Sequence, residues 1–153
     1  MTIDDIIDYV TGLGGVLHLN PTSGGEWPEI SWGDSFFYYA PDGVVPTTSQ
    51  PFATVVTKDY PDDRSSRLDR PGTFRLNIAA GRETFIEWSG HAPGRGPDDV
   101  DASVTDTVIA HPVYGSAGWL AVVDPGERTD AVVRDLMRNA HARARARVER
   151  RHG

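Results

Sequence analysis

The chain has 153 residues, no cysteine, 39% hydrophobic and 24% charged side chains, and a formal net charge of −7. The missing cysteines exclude disulfides, iron–sulfur clusters, thiolate zinc sites and cysteine nucleophiles, and apolar runs such as Trp119 to Val123 fall far short of the roughly 18 residues that span a membrane. From Arg134 onward seven arginines face only Asp135 and Glu149, a net +5 within a total of −7, so the first 133 residues carry −12 and repel phosphate backbones and anionic lipids.

This length and composition suit one domain over 1–153, with a basic C-terminal helical extension at about 141–153. The opening MTIDDIIDYV holds three aspartates and no basic residue, the wrong sign for a secretory or transit segment, so a cytoplasmic location is expected.

Thr2 ahead of Ile3, Ile6, Ile7 and Val10 predicts a capped amphipathic helix that stops near Gly12 to Gly15. Gly15 to Asn20 reads as a strand, with Val16, His18 and Asn20 on one face. After the turn cluster PTSGGEWP, Glu29 to Trp32 and Asp34 to Ala40 read as a hairpin pair around Gly33. Four consecutive aromatics, Phe36 to Tyr39, place the second of these in the middle of a sheet. Phe52 to Thr57 is a β-branched strand that exits at Lys58, Asp59 and Tyr60. The polar run PDDRSSRLDRPG predicts a surface loop, mobile unless something binds there.

Thr73 to Ile78 alternates with period two, Phe74, Leu76 and Ile78 against Thr73, Arg75 and Asn77. A short helix over Gly81 to Trp88, the loop GHAPGRGPDDVDAS, a brief strand at Thr107 to Ala110 and a strand at Trp119 to Val123 follow. Thr129 is the expected cap of a long last helix with Val132, Val133, Leu136, Met137 and Ala140 as its buried stripe. Together these elements predict an α+β two-layer sandwich, a mostly antiparallel sheet with helices on one face and a partly open second face.

The segments PFATVVTKDYP, RPGTFRLNIAAGRETF and HPVYGSAGWLAVVDP, with the closing T-x-x-V-x-x-L helix, resemble the bacterial domain-of-unknown-function family numbered 6194, over nearly the whole chain. Membership implies no particular activity. More distantly, the order of elements and the Trp119 strand are similar to the MmcQ/YjbR-like group, a resemblance that implies possible DNA binding, against which the acidic body stands.

Three constellations offer chemistry. Lys58 at a strand end is a candidate anion contact or nucleophile, or simply an exposed charge paired with Asp59. Arg75 and Asn77 share one strand face, which His18 would join if the first strand ran beside them in register; together they offer a guanidinium, an amide and an imidazole to a carboxylate or phosphate. His111 before Pro112, with Tyr114 and Trp119 nearby, offers acid–base chemistry beside an aromatic wall, or a rigid turn capping the core.

Other signatures are missing. His18, His91, His111, His141 and His152 show no H-x-x-x-H spacing, and Asp98, Asp99 and Asp101 lack the remainder of a calcium loop, so no metal is expected. Gly90, Gly94 and Gly96 do not follow a strand, and there is no G-x-S-x-G elbow, so neither a nucleotide fold nor a serine hydrolase is indicated, and no cofactor is expected.

On a continuous helix Arg143, Arg147, Arg150 and Arg151 form one stripe, with Arg145 nearly opposite. It suits an acidic patch of the same body, an acidic partner, or a solvated helix end. The leading expectation is a small-molecule binder, its ligand a small anion, or a cofactor-free enzyme, working on the open sheet face. The alternative is an interaction module that meets a protein or nucleic acid through the basic helix. Oligomeric state is not encoded in any motif.

Overall fold

The structure, a computed structural model, describes residues 1–96 and 100–152, the side chain of His152 excepted. Asp98 and Asp99 of the loop GHAPGRGPDDVDAS, and the His152 ring, therefore lie outside the described residues. Helix α1 spans Ile3–Thr11 and opens with a capping box: the Thr2 hydroxyl accepts from the Asp5 amide, and the Asp5 carboxylate accepts from the Thr2 amide. Strands β1 (Val16–Leu19), β2 (Ser35–Tyr39), β3 (Ala53–Val56) and β4 (Arg75–Ala79) follow. Then come α2 (Arg82–Ser89), β5 (Ile109–Ala110), β6 (Trp119–Val123) and α3 (Asp130–His152).

All six strands join one sheet in the order β1-β2-β3-β4-β6-β5, and each adjacent pair of named strands is antiparallel. The expected α+β sandwich is therefore the fold, with β2 paired on both sides as its aromatic run predicts. The expected strand at Glu29 to Trp32 is instead a short 3-10 turn over Glu29–Ser31, entered from Pro28. Pro28 lacks the donor a strand would need, and the amides of Ser31 and Trp32 turn back onto the carbonyls of Pro28 and Glu29.

Pairing register assigns the two faces. Phe37, Ala53, Ile78 and Leu120 line up across the sheet on one face, and Phe36, Thr54, Asn77 and Ala121 on the other. The first set merges into the main core with Ile6 and Val10 of α1, Phe85 of α2, and Val133, Leu136, Met137 and Ala140 of α3. Each fully buried valine, leucine, isoleucine, phenylalanine or methionine among them contributes about 1.5–3 kcal/mol. Two polar ties lock the helices: Tyr9 donates to the Arg134 carbonyl at 3.0 Å, and His141 donates through Nε2 to the Gly14 carbonyl at 2.7 Å.

Thr129 is not itself the side-chain cap expected of it. Its hydroxyl donates to Asp106, which also accepts from the amides of Gly126, Arg128 and Thr129. A carboxylate 23 residues upstream of Thr129 thus organises the start of the helix, a long-range device invisible to local pattern reading. It also favours the positive end of the helix dipole.

The second sheet face is only partly open. The loop between β3 and β4 folds back over it: Leu68 is buried against Val56 and Val123, with Tyr60 alongside. Ala102 packs on Ile109 and Ala121 at the other end. The remaining central strip is a hollow. The segment PDDRSSRLDRPG, expected as a solvated loop, is a roof fastened to the sheet, with Asp59 accepting from the Leu68 amide and Asp69 from the Asp59 amide.

Candidate functional site

The hollow measures about 380 Å³ and lies between the second sheet face, the β3–β4 roof and the turn after β5. Phe36 and Tyr38 of β2, Thr54 and Val56 of β3, Arg75 and Asn77 of β4 and Trp119 of β6 reach it because strand alternation points them all to one side. Tyr60, Asp62 and Asp63 descend from the roof, while His111 and Tyr114 come from the turn. Its character is an aromatic wall around a polar floor.

Arg75 organises that floor. It is 1% exposed and meets Asp63 through two contacts, Nη1 to Oδ1 at 2.9 Å and Nη2 to Oδ2 at 2.5 Å. Nε donates to Asn77 Oδ1 at 2.7 Å, and Nη1 also donates to Ser66 at 2.9 Å. Asn77 in turn donates to Thr54 at 3.0 Å. Four of the five guanidinium N–H groups are thus spent on oxygens of the same chain, and the fifth faces His111 Nε2 at 3.1 Å. Arg75 is a keystone that pins the roof to the sheet, not a free cation awaiting an anion.

Burial works against the Asp63 carboxylate, but the Arg75 hydrogen bonds and charge outweigh it and hold Asp63 below the usual carboxylate range. His111 is pushed down to about 3 by burial first and the Arg75 charge second, with Asp63 opposing. The ring is therefore neutral near pH 7. Its Nδ1 accepts from the amides of Val113 and Tyr114 at 3.1 and 2.9 Å, and the Tyr114 ring stands 5.0 Å from it, centroid to centroid.

A neutral buried histidine makes stability fall in acid. The unfolded ring takes up its proton near pH 6.5 and the folded ring only near 3, so this contribution is complete above 6.5 and is lost as pH falls from 6.5 to about 3. Between pH 7 and pH 5 the protein is expected to lose about 2 kcal/mol more than a His111→Gln variant, at about 1.4 kcal/mol per pH unit per proton. Urea unfolding at the two pH values measures it. Equal losses in both proteins would refute the assignment.

A fully buried carboxylate flanks the hollow. Asp34, 0% exposed, accepts from the Thr57 amide and hydroxyl, from Lys58 Nζ at 3.0 Å and from Tyr60 Oη at 2.5 Å. Burial, and next the hydrogen bond to Asp34, push the Tyr60 phenol well up, so it stays a donor. Lys58 also donates to the Trp32 carbonyl at 2.8 Å. Its partner is thus Asp34, not Asp59, and it does not line the hollow.

Of the residues singled out in the sequence, Arg75, Asn77, His111, Tyr114 and Trp119 come together. His18 does not. It pairs with Phe37 in register, stacks on that ring at 4.9 Å and bonds Ser35 at 2.9 Å, all on the helix-covered face. The first strand sits at the sheet edge, three places from β4, and its register turns His18 away.

The model of the family of unknown function DUF6194 matches residues 1–153. The chain belongs to that family. No curated protein and no solved structure matches it. In this DUF6194 chain the segments PFATVVTKDYP, RPGTFRLNIAAGRETF and HPVYGSAGWLAVVDP contribute β3, β4 and β6 and most of the wall and floor of the hollow.

Pattern reading missed Asp34, Asp63 and Ser66, whereas Tyr60, named with Lys58 and Asp59 at the strand exit, does line the hollow. Each of the three missed residues sits in a turn or polar run where an acid or hydroxyl is ordinary, and only long-range contacts reveal its role. One signal was present: Leu68, a lone apolar residue in the polar run, is the anchor that brings the roof down.

The basic helix lies along its own body without finding acid there. Arg143 donates to the Ala79 carbonyl at 3.1 Å and Arg151 to Ser49 at 2.9 Å, while Arg145 pairs with Glu149 on the same helix. Among the described residues neither Arg143, Arg147, Arg150 nor Arg151 forms a salt bridge. Gly81, at φ 83° and ψ 165°, lies so close to Arg143 that a Cβ there would stand 2.4 Å from the guanidinium carbon. No helix among the described residues is long and apolar enough to cross a membrane, and no group of three or more histidines, aspartates and glutamates among them is placed to hold a metal ion.

Proposed function

We propose that this protein binds a small organic molecule in the hollow between the second sheet face and the β3–β4 roof. The observation that carries this reading is a concave space of about 380 Å³ whose wall is aromatic and whose floor is a fixed polar network. Size and lining fall in the range of small-molecule sites, apolar surface with a few placed polar groups. Phe36, Tyr38, Tyr114 and Trp119 supply the apolar contact, and Asn77 and His111 supply orientation. Lys58, engaged outside the hollow, takes no catalytic part in this reading, and Arg75 holds the roof onto the sheet.

The kinship with the MmcQ/YjbR-like group is kept as a proposal, supported by the order of helix, antiparallel sheet, tryptophan-bearing strand and closing helix.

Backbone amide NMR with a set of aromatic amides, phenols and aryl carboxylates tests the binding reading. Binders are expected to move the resonances of Thr54, Asn77 and Trp119, and a Thr54→Trp variant, which fills the hollow, is expected to lose at least tenfold in affinity. Binding that survives Thr54→Trp in a folded variant, or no movement of those resonances at millimolar compound, would overturn the proposal.

A further inference from the structure

His111 carries an imbalance of donors that its own chain does not resolve. Two backbone amides point at Nδ1, and a guanidinium N–H points at Nε2. A neutral imidazole has one acceptor nitrogen and one N–H, so three donors cannot all be accepted by the two ring positions. With Nδ1 taking the Val113 and Tyr114 amides, the ring proton resides on Nε2. There it faces Arg75 Nη2 at 3.1 Å, donor against donor. Turning the ring over exchanges the nitrogens for carbons and would leave both amides against a C–H.

Both groups are buried, His111 4% and Arg75 1% exposed, and both line the hollow. A buried donor without an acceptor costs about 1–3 kcal/mol, and one oxygen set to the side of the pair, within hydrogen-bond reach of both nitrogens, satisfies both at once.

We infer that the hollow recognises the carbonyl oxygen of an uncharged aromatic amide or ketone, which accepts from His111 Nε2 and Arg75 Nη2 while its ring lies against Tyr38, Tyr114 and Trp119. This inference rests on the small-molecule reading of the hollow and names its ligand class. Uncharged oxygen is favoured over carboxylate because Asp63 already neutralises Arg75, Asp62 adds negative charge to the rim, and the first 133 residues carry −12. The anionic ligand expected from the sequence assumed an unpaired arginine. The floor has a paired one, so what it offers is a pair of dipolar donors.

The test uses the full chain and three bicyclic probes of similar size: isoquinolin-1-one with a ring carbonyl, indole with a donor only, and 2-naphthoate with a charge. Long-range proton–nitrogen spectra of the free protein are expected to show the His111 ring protonated on Nε2. Isoquinolin-1-one is expected to bind at least tenfold more tightly than indole and than 2-naphthoate, and to shift the Nε2 proton downfield. In His111→Phe its advantage over indole is expected to shrink, the Arg75 N–H alone remaining to meet the carbonyl.

A ring protonated on Nδ1 would overturn the inference on the wild-type protein alone, whether or not the variant folds. Indole that moves the Thr54 and Trp119 resonances as strongly as isoquinolin-1-one, with no affinity gap, would overturn the carbonyl site and leave the hollow as a binding site. Tighter binding of 2-naphthoate would overturn the choice of an uncharged ligand. If none of the three moves those resonances, the inference and the reading beneath it fall together.

Discussion

Arg75→Met is expected to lower the free energy of unfolding by about 3–5 kcal/mol, because it leaves Asp63 in the roof without the partner that offsets its desolvation. Methionine fills much of the arginine stem volume, so the loss reports the network more than a cavity. Asp63 is 11% exposed at its side chain, which keeps solvent screening small. The same change frees Ser66 and Asn77 from their shared donor, so amide exchange is expected to rise first across the β3–β4 loop.

The double variant Arg75→Met with Asp63→Leu is expected to recover much of the loss, since removing both charges leaves nothing buried and unpaired. Denaturant unfolding of the two single variants and the double variant measures the coupling. Additive losses would show that Arg75 and Asp63 do not act as a unit.

Asp34→Ala is expected to cost about 3 kcal/mol or more, by stranding four donors around one buried oxygen pair. Lys58→Met is expected to cost clearly less. Its side chain is 27% exposed and water can replace part of what it makes, whereas the Thr57 amide and the Tyr60 hydroxyl have only Asp34 as acceptor. A larger loss in Lys58→Met than in Asp34→Ala, measured by the same denaturant midpoint, would reverse this ranking. Because Tyr60 lines the hollow and Asp34 fixes its hydroxyl, the Asp34 variant is also expected to weaken whatever binding the wild-type protein shows.

Both variants expose why the site is only half legible in the chain. The period-two run around Arg75 and Asn77 was readable because strand geometry forces alternate side chains to one face, a rule that depends on nothing beyond the next two residues. Their meaning was not readable. An arginine on a sheet face looks the same whether it waits for a ligand or holds a loop, and Asp63, 12 residues earlier, decides between the two. His18 illustrates the same limit: its own strand was correctly placed, but which strand lay beside it, and with what register, set the face it shares.

By itself the sequence determined the elements with strong local causes. The Thr2 cap and apolar stripe fixed α1, the alternation fixed β4, the aromatic run kept β2 off the sheet edge, and the apolar stripe fixed the face that α3 buries. The absence of cysteine determined that no disulfide or thiolate of this chain takes part. Tertiary structure alone decided that the polar loop closes over the sheet, that Asp34, Asp63 and Asp106 each bind groups from elsewhere in the chain, and that His111 is held between more donors than it can accept. The reason is one of range. Helix and strand periodicities are local, whereas hydrogen-bond balance at a buried site depends on residues brought together by the fold, and no short window of sequence contains them.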